Sequence, residues 1–157
     1  MTRVFFSFDH SMDTRRAAVV REHWITTPER EATGFWEAPG GDIAQKLAED
    51  TMRRRVNAAL EGTSVTVVLI GPWTASRSSV QYEIKRSIQH GNGLLGVRVH
   101  TIKGQRGLTT LRGVSPLPSQ YGLNGRLFSP PVYDWWADGG PGNLGAWIEE
   151  AVQAAGC

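Results

Sequence analysis

Cysteine is almost missing from this chain of 157 residues: the single one is Cys157, the last residue. An internal disulfide is therefore excluded, which fits a reducing compartment, and the fold must close on packing alone. An excess of charge is missing too. Seventeen Lys and Arg against fifteen Asp and Glu leave a formal charge of only +2, too little to gather nucleic acid. The local run Met52-Arg53-Arg54-Arg55 reads as a solvated helix face. No apolar run approaches the ~18 residues needed to span a bilayer. The N-terminus passes from a strand-like segment into polar residues, without the basic, apolar, small order of a secretory signal. A cytoplasmic protein is expected, with neither membrane nor nucleic acid as partner.

Recognisable catalytic and cofactor motifs are equally sparse. There is no G-x-x-x-x-G-K-[ST] loop, no G-x-G-x-x-G after the first strand and no G-x-S-x-G elbow, so ordinary NTP, dinucleotide and serine-hydrolase cradles are absent. His10, His23, His90 and His100 lack metal-ligand spacing, and no metal is expected. Asp9 stands alone after the first strand, and the central strand runs into Gly71-Pro72-Trp73 without an aspartate. That pattern disfavours a phospho-acceptor.

At 40% apolar and 20% charged, the chain reads as one ordinary globular domain, residues 1–157. Val4–Phe8 (VFFSF) and Thr63–Gly71 (TSVTVVLIG) are continuous apolar runs, as strands buried on both faces require. Leu94–His100 is a further strand, Pro131–Trp136 (PVYDWW) holds an edge strand, and a short strand is placed at Phe35–Trp36 in the loop 26–42. Helical spacing covers Arg15–Trp24, Ile43–Leu60 after an Asp42 cap, the segment opened by Ser76, and Leu144–Ala155 after Asn143. Residues 101–131, rich in Gly, Pro and Ser, are read as loops and turns. Four or five strands with three principal helices predict an α/β, flavodoxin-like, three-layer domain with a mostly parallel sheet of about five strands.

Ligands in such sheets bind beyond the carboxyl ends of the strands. That singles out Ser7–Asp9, the loop Gly34–Asp42, where Gly40-Gly41 at a helix start can bind an anion or simply turn, and Gly71–Glu83. At about 100° per residue, Val80, Ile84 and Ile88 form a stripe and Glu83 falls about 60° from Val80, on the border between core and solvent. A border carboxylate there is either partly desolvated and fit for acid–base or hydrogen-bonding work, or a rim glutamate in water. Phe6, Phe8, Phe35, Trp36, Trp73 and Tyr82 sit in segments near the same end of the sheet. They either stack on a flat ligand such as adenine or nicotinamide, or fill the core.

RVFFSFDH (3–10), GFWEA (34–38), VTVVLIG (65–71), VQYEIKRSIQHGNGLLGVRVHTIK (80–103) and the tail YDWW…LGAWIEEA (133–151) resemble the TIR-like domains. More closely, they resemble the stand-alone TIR-like proteins of Thoeris anti-phage defence. The resemblance covers most of the chain and implies a TIR-like fold acting on NAD⁺ as substrate, with no other cofactor. It implies cleavage of the nicotinamide–ribose bond and cyclisation of the ADP-ribose portion into a signal for a separate effector protein. A phage-derived trigger and a homo-oligomer are part of the same expectation. Carried over by position, Glu83 is the catalytic carboxylate, and Phe6, Ser7, Phe8 and Asp9 line the nucleotide pocket. Phe35, Trp36, Gly71, Trp73, Ser79 and Tyr82 complete the expected substrate site, with 34–37 as a lid. Many TIR domains carry tryptophan four residues before the glutamate; this chain carries Ser79, and Trp73 is the candidate replacement for that aromatic surface. The alternative is a TIR-like scaffold or nucleotide sensor without turnover.

Overall fold

The computed structural model describes residues 2–34, 49–123 and 125–156. Its centre is a sheet of five parallel strands, β1 (Thr2–Ser7), β2 (Arg30–Thr33), β3 (Val65–Ile70), β4 (Gly93–Arg98) and β7 (Val132–Asp134). They lie in the order β2-β1-β3-β4-β7, with a short antiparallel hairpin β5–β6 (Tyr121–Leu123 and Arg126–Phe128) apart from them. Parallel neighbours need crossovers; among the described residues α1 (Thr14–Ile25), α2 (Glu49–Leu60) and α3 (Ser78–His90) lie in them, the connection from β4 to β7 carries the hairpin, and α4 (Gly140–Gly156) follows the last strand. The flavodoxin-like architecture is thus present, and the four helices correspond to the four helical segments read from the sequence.

Strand alternation assigns the two faces. Val4, Phe6 and Phe8 of the first strand, with Val65, Val67, Leu69, Leu95 and Val97, pack on Ala17, Val20 and Trp24 of α1 and on Leu144, Trp147 and Ile148 of α4. The intervening residues face the other way. Phe5 meets Val56 and Leu60 of α2, and Val68, Ile70 and Leu94 meet Val80 and Ile84 of α3. Every side chain of β3 is buried, which is why this strand shows no polar alternation in the sequence.

The differences from the sequence reading have local causes. The second strand is Arg30–Thr33, four polar-rich residues paired with β1; a half-exposed edge needs no apolar run. Phe35 and Trp36, the Gly40-Gly41-Asp42 turn and the start of the expected helix at Ile43 lie outside the described residues. A 3₁₀ turn, Thr74–Ser76, precedes α3, so that helix opens at Ser78. α4 opens at Gly140 rather than after an Asn143 cap, and Asn143 donates to the carbonyls of Asp138 and Gly139 inside its first turn. The hairpin lies in the stretch read as loops. Its three-residue strands are too short for a period, yet Tyr121 and Leu123 join the core against Val80 and Ile84.

Candidate active site

The strand order reverses direction between β1 and β3, so the crevice outside their carboxyl ends is where this topology gathers ligands. Ser7 ends β1, in register with Val68 of β3, and Ile70-Gly71 ends β3. Alternation puts Ser7 on the same face as Phe5, toward α2 and α3, and there it meets Glu83.

Glu83 is not on a border. It is 2% exposed, among the most buried large side chains of the protein. The arithmetic measured its angle from the sheet-facing stripe alone, but α3 is covered on a second side by α2. Tyr82 there packs with Phe5, Val56 and Leu60. Burial pushes the Glu83 carboxyl well above the ordinary glutamate value, and the Ser7 hydroxyl beside it lowers it only in part. Neither Glu83 Oε2 nor Ser7 Oγ has a partner of ordinary hydrogen-bond geometry. A buried carboxyl and a hydroxyl therefore face each other at the switch point with unspent capacity, the state in which a buried polar group costs stability and commonly marks a site.

A buried polar ladder fixes the height of this carboxylate. Ser87, one turn after Glu83, donates to the Glu83 carbonyl at 2.7 Å and accepts from Thr66 of β3 at 2.7 Å. Asn92 donates to Thr63 and to the Thr66 hydroxyl. The ladder locks α3 to β3 in one register. Its signal was present in the sequence as Ser87 on the stripe of Val80 and Ile84, four residues after Glu83, and was not read.

Asp9, also 2% exposed, accepts from the Ser11 backbone N–H and hydroxyl at 3.0 and 2.7 Å. Its other oxygen lies 3.0 Å from Arg77 Nε, and Arg77 also donates to Ser11. The pair ties the exit of β1 to the entry of α3. Below it Asp13 and Arg16 form a buried ion pair at 2.9 Å. Burial holds the Asp13 carboxyl above its usual value, against the pull of the guanidinium. Arg16 also donates to the carbonyls of Ile102 and Leu108, anchoring the loop after β4. Gly71 lies directly under Asp13, where a methyl group would overlap the carboxylate. Asp9 and Gly71 of this cluster are expected site residues; the sequence reading does not include Asp13, Arg16 and Arg77, whose pairing depends on the approach of α1, the exit of β3 and the start of α3.

The remaining expected residues divide. Phe6 and Phe8 fill the core on the α1–α4 face, opposite Glu83, and His10 stacks on Phe8 with its centroid 4.4 Å away. Burial lowers the pKa of that imidazole. Ser79 is half-buried one turn before Glu83. Trp73 is 56% exposed at the entry of the 3₁₀ turn. Tyr82 faces α2 rather than the carboxyl of its neighbour. Phe35 and Trp36 lie outside the described residues. Among the described residues no group of three His, Cys, Asp or Glu side chains is arranged to hold a metal ion, and no helix is long and apolar enough to cross a membrane.

A cleft of about 420 Å³ lies between α2 and α3, lined by Arg53, Asn57, Tyr82, Lys85, Arg86 and Gln89. It does not contain Glu83, and its lining carries no carboxylate. The switch point, not this cleft, holds the candidate catalytic group.

Comparison with known proteins identifies the family. The family model described as Thoeris protein ThsB, TIR-like domain, matches residues 5–103, a span that runs from within β1 through β4. The chain is also 38% identical over 138 residues to a Bacillus cereus (strain MSX-D12) protein named "Putative cyclic ADP-D-ribose synthase ThsB1", covering 85% of this chain and 70% of the relative.

Proposed function

Because this chain belongs to the TIR-like domain family of Thoeris protein ThsB, we propose that it cleaves the nicotinamide–ribose bond of NAD⁺ and cyclises the ADP-ribose portion, with Glu83 as the catalytic carboxylate. The observation that carries this reading is the buried Glu83 carboxyl beside Ser7 at the strand-order switch point. The name of the Bacillus cereus relative, a cyclic ADP-D-ribose synthase, supports the substrate class.

The chemistry follows from the charge. NAD⁺ brings a positive nicotinamidium and, as the C1′–N bond breaks, positive charge moves onto the ribose. The bonding electron pair leaves with nicotinamide, which departs neutral. Burial favours the neutral form of Glu83, and a cation placed against it favours the ionised form. The carboxylate then stabilises the oxocarbenium-like ribose in a site from which water is excluded. Ser7 is placed to hold either the carboxylate or a ribose hydroxyl. Cyclisation requires an internal nucleophile of the same molecule to reach C1′ before water does, forming a new bond at C1′ as nicotinamide leaves and releasing the nucleophile's proton to solvent. The product serves a separate effector in anti-phage defence, and a phage-derived trigger and self-association gate the activity in this reading.

The test is incubation of the purified protein with NAD⁺, alone and in infected-cell lysate, followed by mass spectrometry for nicotinamide and a cyclic product. Glu83→Gln is expected to lower the rate by at least about 100-fold, the scale of a lost charge-stabilising or acid–base group. Full turnover in that variant would remove Glu83 from the mechanism. The wild-type rate should rise with pH along a limb displaced above the ordinary glutamate value of 4.5, because the buried carboxyl must ionise to act.

A further inference from the structure

The α2–α3 cleft has a lining suited to one kind of ligand. Three cations, Arg53, Lys85 and Arg86, surround about 420 Å³ of space together with Asn57, Gln89 and the Tyr82 ring, a volume within the range of nucleotide-sized sites. Arg86 is held in place by neutral acceptors: Nε donates to Asn57 Oδ1 at 2.8 Å and Nη1 donates to Gln89 Oε1. Both amides thus spend their oxygen on the guanidinium and keep their NH₂ donors for another partner. No carboxylate neutralises Lys85 or Arg86 among the described residues. The Arg53 guanidinium lies 6.0 Å from the centroid of the Tyr82 ring, whose other side packs on Phe5, Val56 and Leu60.

We propose that this cleft binds a small phosphorylated ligand of the nucleoside diphosphate class, at a site separate from Glu83. The lining offers donors and almost no acceptors, which matches phosphate oxygens and repels cations. A guanidinium fixed by amides is pre-organised, so it loses little freedom on meeting a phosphate. Tyr82 supplies a flat surface beside the cations, which a base can cover and an inorganic ion does not use. The cleft is lined by Tyr82, Lys85, Arg86 and Gln89 of α3 and not by Glu83, so its occupancy does not depend on the catalytic reading.

The test titrates the full-length protein with ADP and with inorganic pyrophosphate, following the side-chain amide resonances of Asn57 and Gln89 by NMR and the affinity by calorimetry. Both resonances are expected to shift at sub-millimolar ADP. The affinity should fall about tenfold or more in Lys85→Gln/Arg86→Gln, and in Lys85→Gln alone by a smaller factor, while Glu83→Gln keeps it. Tighter binding of ADP than of pyrophosphate assigns a nucleotide; equal binding assigns a bare polyphosphate, and either supports the site. Resonances that stay fixed to millimolar ADP, or an affinity unchanged in the double variant, would overturn it. So would a single-stranded oligonucleotide displacing ADP with a steep salt dependence, since the cleft would then be part of a nucleic-acid track. Absence of NAD⁺ cleavage with the cleft still binding ADP would sink only the catalytic proposal.

Discussion

Glu83 carries a stability cost that its chemistry explains. A carboxyl whose folded pKa is raised binds its proton more tightly folded than unfolded, so its contribution to stability is intact below the unfolded value, near 4.5. It is lost as pH rises toward the folded value. Glu83→Gln removes that ionisation. The variant is expected to be more thermostable than wild type at pH 8, by roughly 2–8 °C for about 1–2 kcal/mol in a domain of this size. At pH 4 the difference should nearly vanish. Thermal unfolding at both pH values checks this, and a variant less stable than wild type at pH 8 would mean that the carboxylate is satisfied in the folded protein. Gained stability with lost turnover is the signature of a functional group, and a merely structural glutamate would show neither.

Two elements meet over Gly71, and neither tolerates a side chain there. The exit of β3 passes beneath the Asp13 carboxylate at the start of α1, while Gly113 in turn lies against the Gly71 carbonyl. Gly71 also donates its N–H to Thr74 Oγ1 at 2.7 Å, which starts the 3₁₀ turn leading to α3. Gly71→Ala is therefore expected to cost about 1–3 kcal/mol in urea denaturation, the range for overpacking. It should also expose the loop 101–110 to proteolysis, because displacing Asp13 disturbs Arg16 and its bonds to Ile102 and Leu108. A neutral effect on both readouts would show that the backbone yields at no cost. Gly71 thus acts in this architecture by close approach, whatever it contributes to substrate.

Across the whole molecule, β3 couples the two helical layers. Val67 and Leu69 face α1 and α4, while Val68 and Ile70 face α3, so neither layer can lose its packing without the strand. Leu69→Ala and Ile70→Ala act on opposite faces, and each should cost about 2–5 kcal/mol. Both should move one shared transition, seen alike by far-UV dichroism and by the near-UV signal of the buried Trp24 and Trp135. Separate transitions for the two variants would show that the layers unfold independently.

The sequence by itself determined the parallel sheet, because continuous β-branched runs such as 65–70 have no other low-cost environment than a strand covered on both faces. It also determined that Glu83 lies on the helix after the central strand, since the helical rhythm from Val80 to Ile88 leaves no choice. The tertiary structure alone decided which faces meet. Strand parity is visible in VFFSF, but not which helices cover which side. So the division of Ser7 from Phe6 and Phe8, and the setting of Tyr82 against α2, appeared only in three dimensions. The same holds for the burial of Glu83. One helix has an angular position that sequence gives, whereas desolvation depends on every neighbour packed around it, and those neighbours, Ser7 of β1 among them, come from segments distant in sequence.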